Sequence, residues 1–255
     1  MKVCLTIRYD GTAFKGWAPN HNIRSVSQDL TSVIQMVTRS DSVLTVAGRT
    51  DAGVHALGQV VSFPVRDDFS ADDLHRLVKS INSLCAPSIS VADSKFVGDE
   101  FDARRSATSR HYRYLLSNGR YPDPFLANRA WHVHGRLDLV AMQAASALLV
   151  GEHDFAAFCR LAPPPNNSTV RHVFFADWSV GLDGLWQFEI SGNAFCHQQV
   201  RAIVGTLVII GRGELVPADV EQMLVKKDRV RMPDLAPAHG LYLTHVGYGG
   251  KRVHP

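Results

Sequence analysis

Four cysteines in 255 residues, Cys4, Cys85, Cys159 and Cys196, are too few and too scattered for a disulfide framework. No two of them have the CxxC spacing of a zinc site. Long apolar runs are also missing. The best candidate, Ala202 to Ile210, is interrupted by Gly205 and Thr206 and falls well short of the roughly 18 residues of a membrane span. Met1-Lys2-Val3-Cys4 runs straight into strand-like sequence, so no secretory leader and no membrane attachment are expected. Charge of one sign is scarce too: 27 Lys and Arg face 24 Asp and Glu, a net +3. Taken alone, that argues for no polyanionic partner. What is present is 45% hydrophobic and 20% charged residues, which excludes disorder, collagen and coiled coil. The length suits one large domain or two ordinary ones, and the expected compartment is the cytoplasm.

Periodicity divides the chain into two halves. In the first, Val3, Leu5, Ile7 and Tyr9 alternate as in a half-buried strand. Ser25 with Gln28, and Ser70 with Asp73, are capping-box patterns opening two helices. Val43–Val46, Gln59–Phe63 and Ile89–Phe96 supply further strands, so the order is β-α-β-β-α-β, a split βαβ pattern. The second half, from about Ser106, roughly repeats it. Strand Arg110–Leu116 is followed by a helix capped by Asp138 and by a hairpin of 171–178 with 185–190. A helix from Phe195 to Ile210, a short helix opened by Pro217 and a last strand Gly240–Val246 complete it. Pro163-Pro164-Pro165-Asn166-Asn167 reads as a loop inside this half. The expectation is an α+β protein of two ferredoxin-like halves, residues 1–105 and 106–255, each an antiparallel sheet with helices on one face.

Three segments carry candidate chemistry. Ala47-Gly48-Arg49-Thr50-Asp51-Ala52-Gly53-Val54-His55 joins two strands by a connection longer than a hairpin needs. Asp51 there is either the cap of an Asx turn or a reactive carboxylate. Gly48 and Gly53 have P-loop spacing, but Val54-His55 replaces the required Lys-Ser/Thr. Arg201 is the one permanent charge between Ile190 and Gly211. It lies on a solvated strip of its helix, or it pairs with a carboxylate from the other half, for which Asp51 is the best candidate. Such a pair would keep Asp51 ionised. Arg110-His111-Tyr112-Arg113-Tyr114 puts Arg110, Tyr112 and Tyr114 on one strand face. They are core tyrosines beside a solvated basic face, or a base-stacking aromatic beside phosphate-binding arginines.

Charge placement weighs on that choice. Residues 101–136 hold seven arginines against two aspartates, a net +5, which leaves −2 for the rest. Lys226-Lys227-Asp228-Arg229-Val230-Arg231 is a second basic cluster. The first favours a polyanion, and the second is either part of the same footprint or a solvated helix end. Among twelve histidines only His132-Val133-His134 has HxH spacing, and no Cys or Glu is near, so no metal is expected.

The chain resembles tRNA pseudouridine synthases of the TruA type. The resemblance rests on residues 47–55, on Arg8-Tyr9-Asp10-Gly11 with Gly16-Trp17, and on Ala107-Thr108 with 110–114. It continues through Gly151 with His153-Asp154-Phe155, Asn193-Ala194-Phe195 to Val200-Arg201 and Gly205, Lys227-Asp228-Arg229, and Gly240-Leu241-Tyr242-Leu243. The motifs follow the family's order along nearly the whole chain. The resemblance implies that the two halves join into one extended, mostly antiparallel sheet with helices on one side and a central active-site cleft. It also implies isomerisation of uridine to pseudouridine at tRNA positions thirty-eight to forty, by a homodimer, without cofactor. It implies Asp51 as the essential carboxylate, Arg201 as its partner and Tyr112 against the flipped base. Arg49 would take the flipped nucleotide's place, Leu241 or Leu243 would wall the pocket, and Arg110 and Arg113 would bind RNA. Two positions depart from the family: Ala18-Pro19-Asn20 replaces a Gln-Arg-Gln-like run, and Ser27 stands where Gln is common. A non-catalytic RNA-binding module would explain the basic strand but leaves Arg201 without a purpose. A metal-dependent hydrolase would use Asp51 with histidines and lose activity to chelators.

Overall fold

The computed structural model describes residues 1–19, 23–41, 43–160, 168–226 and 235–249. The proline-rich loop at 163–167, the basic cluster from Lys227 onward and Asn20 lie outside them. The strands are β1 (Lys2–Tyr9), β2 (Thr45–Val46), β3 (His55–Pro64), β4 (Ile89–Val97), β5 (Ala107–Ser117), β6 (Trp131–His132), β7 (Gly151–Asp154), β8 (Val170–Val180), β9 (Leu185–Gly192) and β10 (Leu241–Tyr248). The α-helices are α1 (Val26–Thr38), α2 (Ala71–Leu84), α3 (Leu139–Ala147), α4 (Gln199–Gly211) and α5 (Ala218–Lys226). Mostly antiparallel strands with five α-helices among the described residues give the expected α+β class. None of the described helices is long and apolar enough to cross a membrane.

Two compact units form. The first comprises Met1–Ala107 with Tyr242–Gly249, the second Thr108–Leu241. In the first, β1 lies antiparallel between β3 and β4, and β2 lies antiparallel on β3. The strand order β4-β1-β3-β2 with two crossing helices is the ferredoxin-like arrangement. It departs from that pattern at one edge. β2 covers only Val61 and Ser62 of β3, while β10 pairs in parallel with His55 and Ala56. The chain leaving β2 therefore cannot follow β3 to its start, and residues 47–54 are released from the sheet between the two pairings.

Both expected capping boxes form: Ser25 with Gln28 opens α1, and Ser70 with Asp73 opens α2. Each satisfies two amide groups that a helix start would leave bare. Val3, Leu5 and Ile7 from β1 are fully buried, as are Leu30 and Ile34 from α1 and Leu77 and Ile81 from α2. The sheet is thus cemented to both helices by apolar burial.

In the second unit β9 pairs antiparallel with β5 and β8, β8 with β7, and the short β6 runs parallel to β5. Tyr114, Leu116, Trp178, Phe188 and the inner face of α4 fill its core. The helix anticipated from Phe195 begins only at Gln199. Gln198 sits at φ +66°, a left-handed conformation that a helix cannot continue through. Upstream, the Asn193 side chain accepts from His172 N and Ala194 N at 3.0 and 2.7 Å, holding the loop out of helix. His197 therefore lies before the helix that carries Arg201.

One pairing was invisible in the spacing of the cysteines. Cys159 and Cys196 stand 37 residues apart in sequence yet are disulfide-bonded, with Cα atoms 5.7 Å apart. Arg160 N–H donates to His197 O at 2.9 Å beside them, so folding alone brings the two loops together.

Candidate active site

The glycine-rich loop after β2 is held from beneath. Ala47 N–H donates to Val60 O at 2.9 Å as the loop leaves the sheet. Gln59, fully buried on β3, gives one amide hydrogen to Gly48 O at 2.7 Å and the other to Tyr9 Oη at 3.3 Å. Its Oε1 accepts from Val60 N at 3.2 Å. Reversing the amide would set oxygen against oxygen at Gly48, so these partners fix its orientation. Tyr9 Oη in turn lies 2.8 Å from Thr50 Oγ1. Burial pushes the Tyr9 phenol up to about 12, against the weaker opposing effect of its bonds to Thr50 and Gln59. At neutral pH its hydroxyl stays protonated.

Above this layer the backbone is tied as well. Thr50 O accepts from Trp17 N at 3.1 Å, and Gly53 N donates to Phe14 O at 3.3 Å. Asp51 O accepts from Val54 N at 3.2 Å, and Gly53 has φ +80°. A bond from the first to the fourth residue with a positive third φ is a type II turn, which is what glycine supplies here. Gly11 comes so close that a Cβ would lie 2.1 Å from Val54 O, and its amide donates to His55 Nδ1 at 3.1 Å. His55 is buried and stacks on Tyr242, ring centroids 4.7 Å apart. Asp51 therefore opens a tight turn on a rigid base, its side chain half-exposed, with Arg49 exposed two residues before it.

Sequence reasoning missed this support. Tyr9, Gly11, Gly16 and Trp17 were noted as matching motifs, yet they serve the loop. Gln59 was counted only as a strand residue. The one available signal was a Gln within the apolar run Gln59-Val60-Val61-Ser62-Phe63, because a buried amide must have partners. Of the departures from the family, Ala18 and Pro19 follow the anchoring Trp17. Ser27 is buried, with its amide bonded to Trp17 O at 3.2 Å.

The second unit holds the other candidates. Tyr112 on β5 is half-buried and meets Phe195 edge-on at 5.3 Å. Arg110, on the same strand face, is buried, with Nη1 donating to Asn193 O at 2.8 Å. Arg113 points the other way. Its Nε and Nη2 meet Oε1 of Glu189, its cross-strand partner, at 3.0 and 2.8 Å. Arg113's charge is thus balanced by a neighbour. Leu241 is buried in this unit and Leu243 in the first.

Arg201 is one of two residues of α4 that escape full burial. Its Nε donates to Ala236 O at 2.8 Å, and Ala236 N returns a bond to Arg201 O at 3.2 Å. The segment leading to Gly240 is thereby docked on α4. Next to it Tyr114 donates to Pro237 O at 2.8 Å. Burial raises the Tyr114 phenol far above its ordinary value, with the Arg201 charge acting against that. His239 is pushed down by burial, against a hydrogen bond to the Ala130 backbone that raises it, and the Arg201 charge lowers it further. Among the described residues no three His, Cys, Asp or Glu side chains are grouped as a metal would need.

Comparison with known proteins gives the class of this α+β chain, a tRNA pseudouridine synthase. A family model described as tRNA pseudouridine synthase matches residues 145–249. The chain is 39% identical over 249 residues to tRNA pseudouridine synthase A of Chromobacterium violaceum, spanning 97% of this chain and 93% of that one. Identity is 38% to the enzyme of the same name from Bacillus licheniformis and 37% to that from Bacillus subtilis, each over 97% of this chain and 99% of the relative. The chain belongs to the tRNA pseudouridine synthase A family.

Proposed function

We propose that this protein isomerises uridine to pseudouridine in tRNA, at positions thirty-eight to forty of the anticodon stem-loop. The observation that carries the reading is the Asp51 turn. A half-exposed carboxylate opens a turn that is held by hydrogen bonds at Gly48, Thr50, Gly53 and Val54. Preorganisation of that kind is what a reacting carboxylate requires. A capping aspartate would need no such foundation.

The reaction is balanced without redox chemistry. The N1–C1′ bond breaks, the uracil turns, and C5–C1′ forms. The C5 proton leaves and N1 ends protonated. Neither a metal nor a cofactor is called for, so chelators are expected to leave turnover intact. Asp51 attacks the sugar or the base, or removes a sugar proton to give a glycal. Arg201 acts as its partner in the reaction, and Tyr112 packs on the extruded uracil, which has to leave its stack to react. Arg49 fills the vacated place in the stem, and Leu241 and Leu243 wall the pocket. Arg110 supports the strand that carries Tyr112, and Arg113 lies towards the RNA backbone. The protein works as a cytoplasmic homodimer.

Incubating tRNA tritiated at uracil C5 with wild type and with Asp51→Ala tests the assignment. Release of label by wild type alone is expected. Equal release by both proteins, or none by either, overturns it.

A further inference from the structure

We propose that Tyr9 and Gln59 are positioning residues for the reaction, acting on Asp51 through Thr50 and Gly48. The inference rests on the reading of Asp51 as the reacting carboxylate. Gln59 is fully buried, Tyr9 and Thr50 nearly so, and a buried polar group without partners is costly. Yet the three are arranged so that each satisfies the next. Gln59 Nε2 holds Gly48 O at 2.7 Å and Tyr9 Oη at 3.3 Å, and Tyr9 Oη holds Thr50 Oγ1 at 2.8 Å. One amide thus grips the loop at Gly48 directly and at Thr50 by way of a phenol. Asp51 follows immediately.

Packing alone does not account for the choice of side chains. Neighbouring Val60, Val61 and Phe63 fill the same strand with apolar groups, and an apolar residue at 59 would bury as readily. An amide at that point instead sets the height of the loop on β3 through a hydrogen bond, which has a defined length and direction. Tyr9 comes from β1, where the register with β3 shifts between Ile7 and Tyr9. Seven residues of β1 find partners on β3, but Ile7 faces Gln59 whereas Tyr9 faces Ala56. β3 thus carries one more residue than β1 between these two pairings, and it is across this irregularity that Gln59 Nε2 reaches Tyr9 Oη. A local irregularity of this kind re-aims a side chain.

A positioning role predicts a particular kinetic pattern. Displacing the carboxylate changes how well it meets the reacting atoms and leaves tRNA binding alone, so kcat falls while KM and tRNA Kd hold. Tyr9→Phe and Thr50→Val keep shape and burial and remove one hydroxyl each. Each is expected to lower single-turnover kcat about ten- to a hundredfold, with tRNA Kd unchanged. Because both remove the same bond, the double variant is expected to be no slower than the slower single. Thr50→Ser restores the hydroxyl and is expected to recover most of the loss seen in Thr50→Val. Far-UV circular dichroism and thermal melts accompany each protein, and Asp51→Asn serves as the reference.

The outcomes separate the two layers of argument. If Asp51→Asn still releases C5 tritium, the reading of the active site fails and the positioning role with it. If Asp51→Asn is inactive while Tyr9→Phe and Thr50→Val turn over like wild type, the positioning role alone is overturned. It is also overturned if the two losses multiply in the double variant, if they appear in Kd instead of kcat, or if Thr50→Ser is as slow as Thr50→Val.

Discussion

Replacing Gly11 by alanine puts the most severe strain on the Asp51 turn for the smallest change. The added Cβ would lie 2.1 Å from Val54 O and 2.5 Å from Val54 C. Relief to an ordinary contact requires a shift of about 1 Å. Gly11 cannot supply it, because its amide is bonded to His55 Nδ1 and its carbonyl accepts from Phe14 N at 3.0 Å. Val54 has to move instead, and its amide is the one that closes the turn on Asp51. Forcing a methyl into packed surroundings costs about 1–3 kcal/mol, and for a chain of this size each kcal/mol lowers Tm by about 2–4 °C. A displacement of this size at the reacting group reduces kcat by up to about a hundredfold. The assay pairs a thermal melt with C5 tritium release under single-turnover conditions and a tRNA-binding titration. Gly119→Ala is the control, since a Cβ there meets nothing closer than Tyr121 O at 3.5 Å. Wild-type melting and turnover in Gly11→Ala would refute the claim that this glycine seats the turn.

Three further outcomes are expected. Arg201→Met keeps the apolar stem and removes the bond to Ala236 O. It should abolish release while leaving tRNA binding intact, and unchanged turnover would discard the arginine's role. Gly240→Ala drives a methyl to 2.5 Å from the Tyr114 ring, whose hydroxyl is committed to Pro237. A loss of about 1–3 kcal/mol by urea unfolding is expected, and an unaltered midpoint would count against the packing described. Asp73 is held down to about 2 from its usual 3.8 by the Ser70 backbone and hydroxyl and then by Arg76. Its contribution to stability is complete above pH 3.8 and disappears as pH falls through about 2. The melting temperature of Asp73→Asn should therefore fall less steeply than wild type across that window, and parallel curves would refute the capping account.

The local elements were legible because their causes are local. Ser25 and Ser70 each lie three residues from their capping partners, and the alternation of β1 follows from the two-residue period of a strand. The start of α4 was misjudged because Ala194 to Gln198 contains nothing that forbids a helix. What stops it is the long-range use of the Asn193 side chain by His172, twenty-one residues away.

By itself the sequence determined the α+β class, most of the strands and the presence of the five described α-helices. These depend on periodicity, capping and motif, which are properties of neighbouring residues. Tertiary structure alone decided what supports them. β10 returns from the far end of the chain to occupy the edge of β3, which frees the Asp51 loop. Gln59 meets Gly48 across 11 positions in sequence and Tyr9 meets Thr50 across 41, and Cys159 finds Cys196 across 37. Hydrogen bonds and disulfides act over a few ångströms in space, and no spacing along the chain reports which distant groups the fold will bring that close.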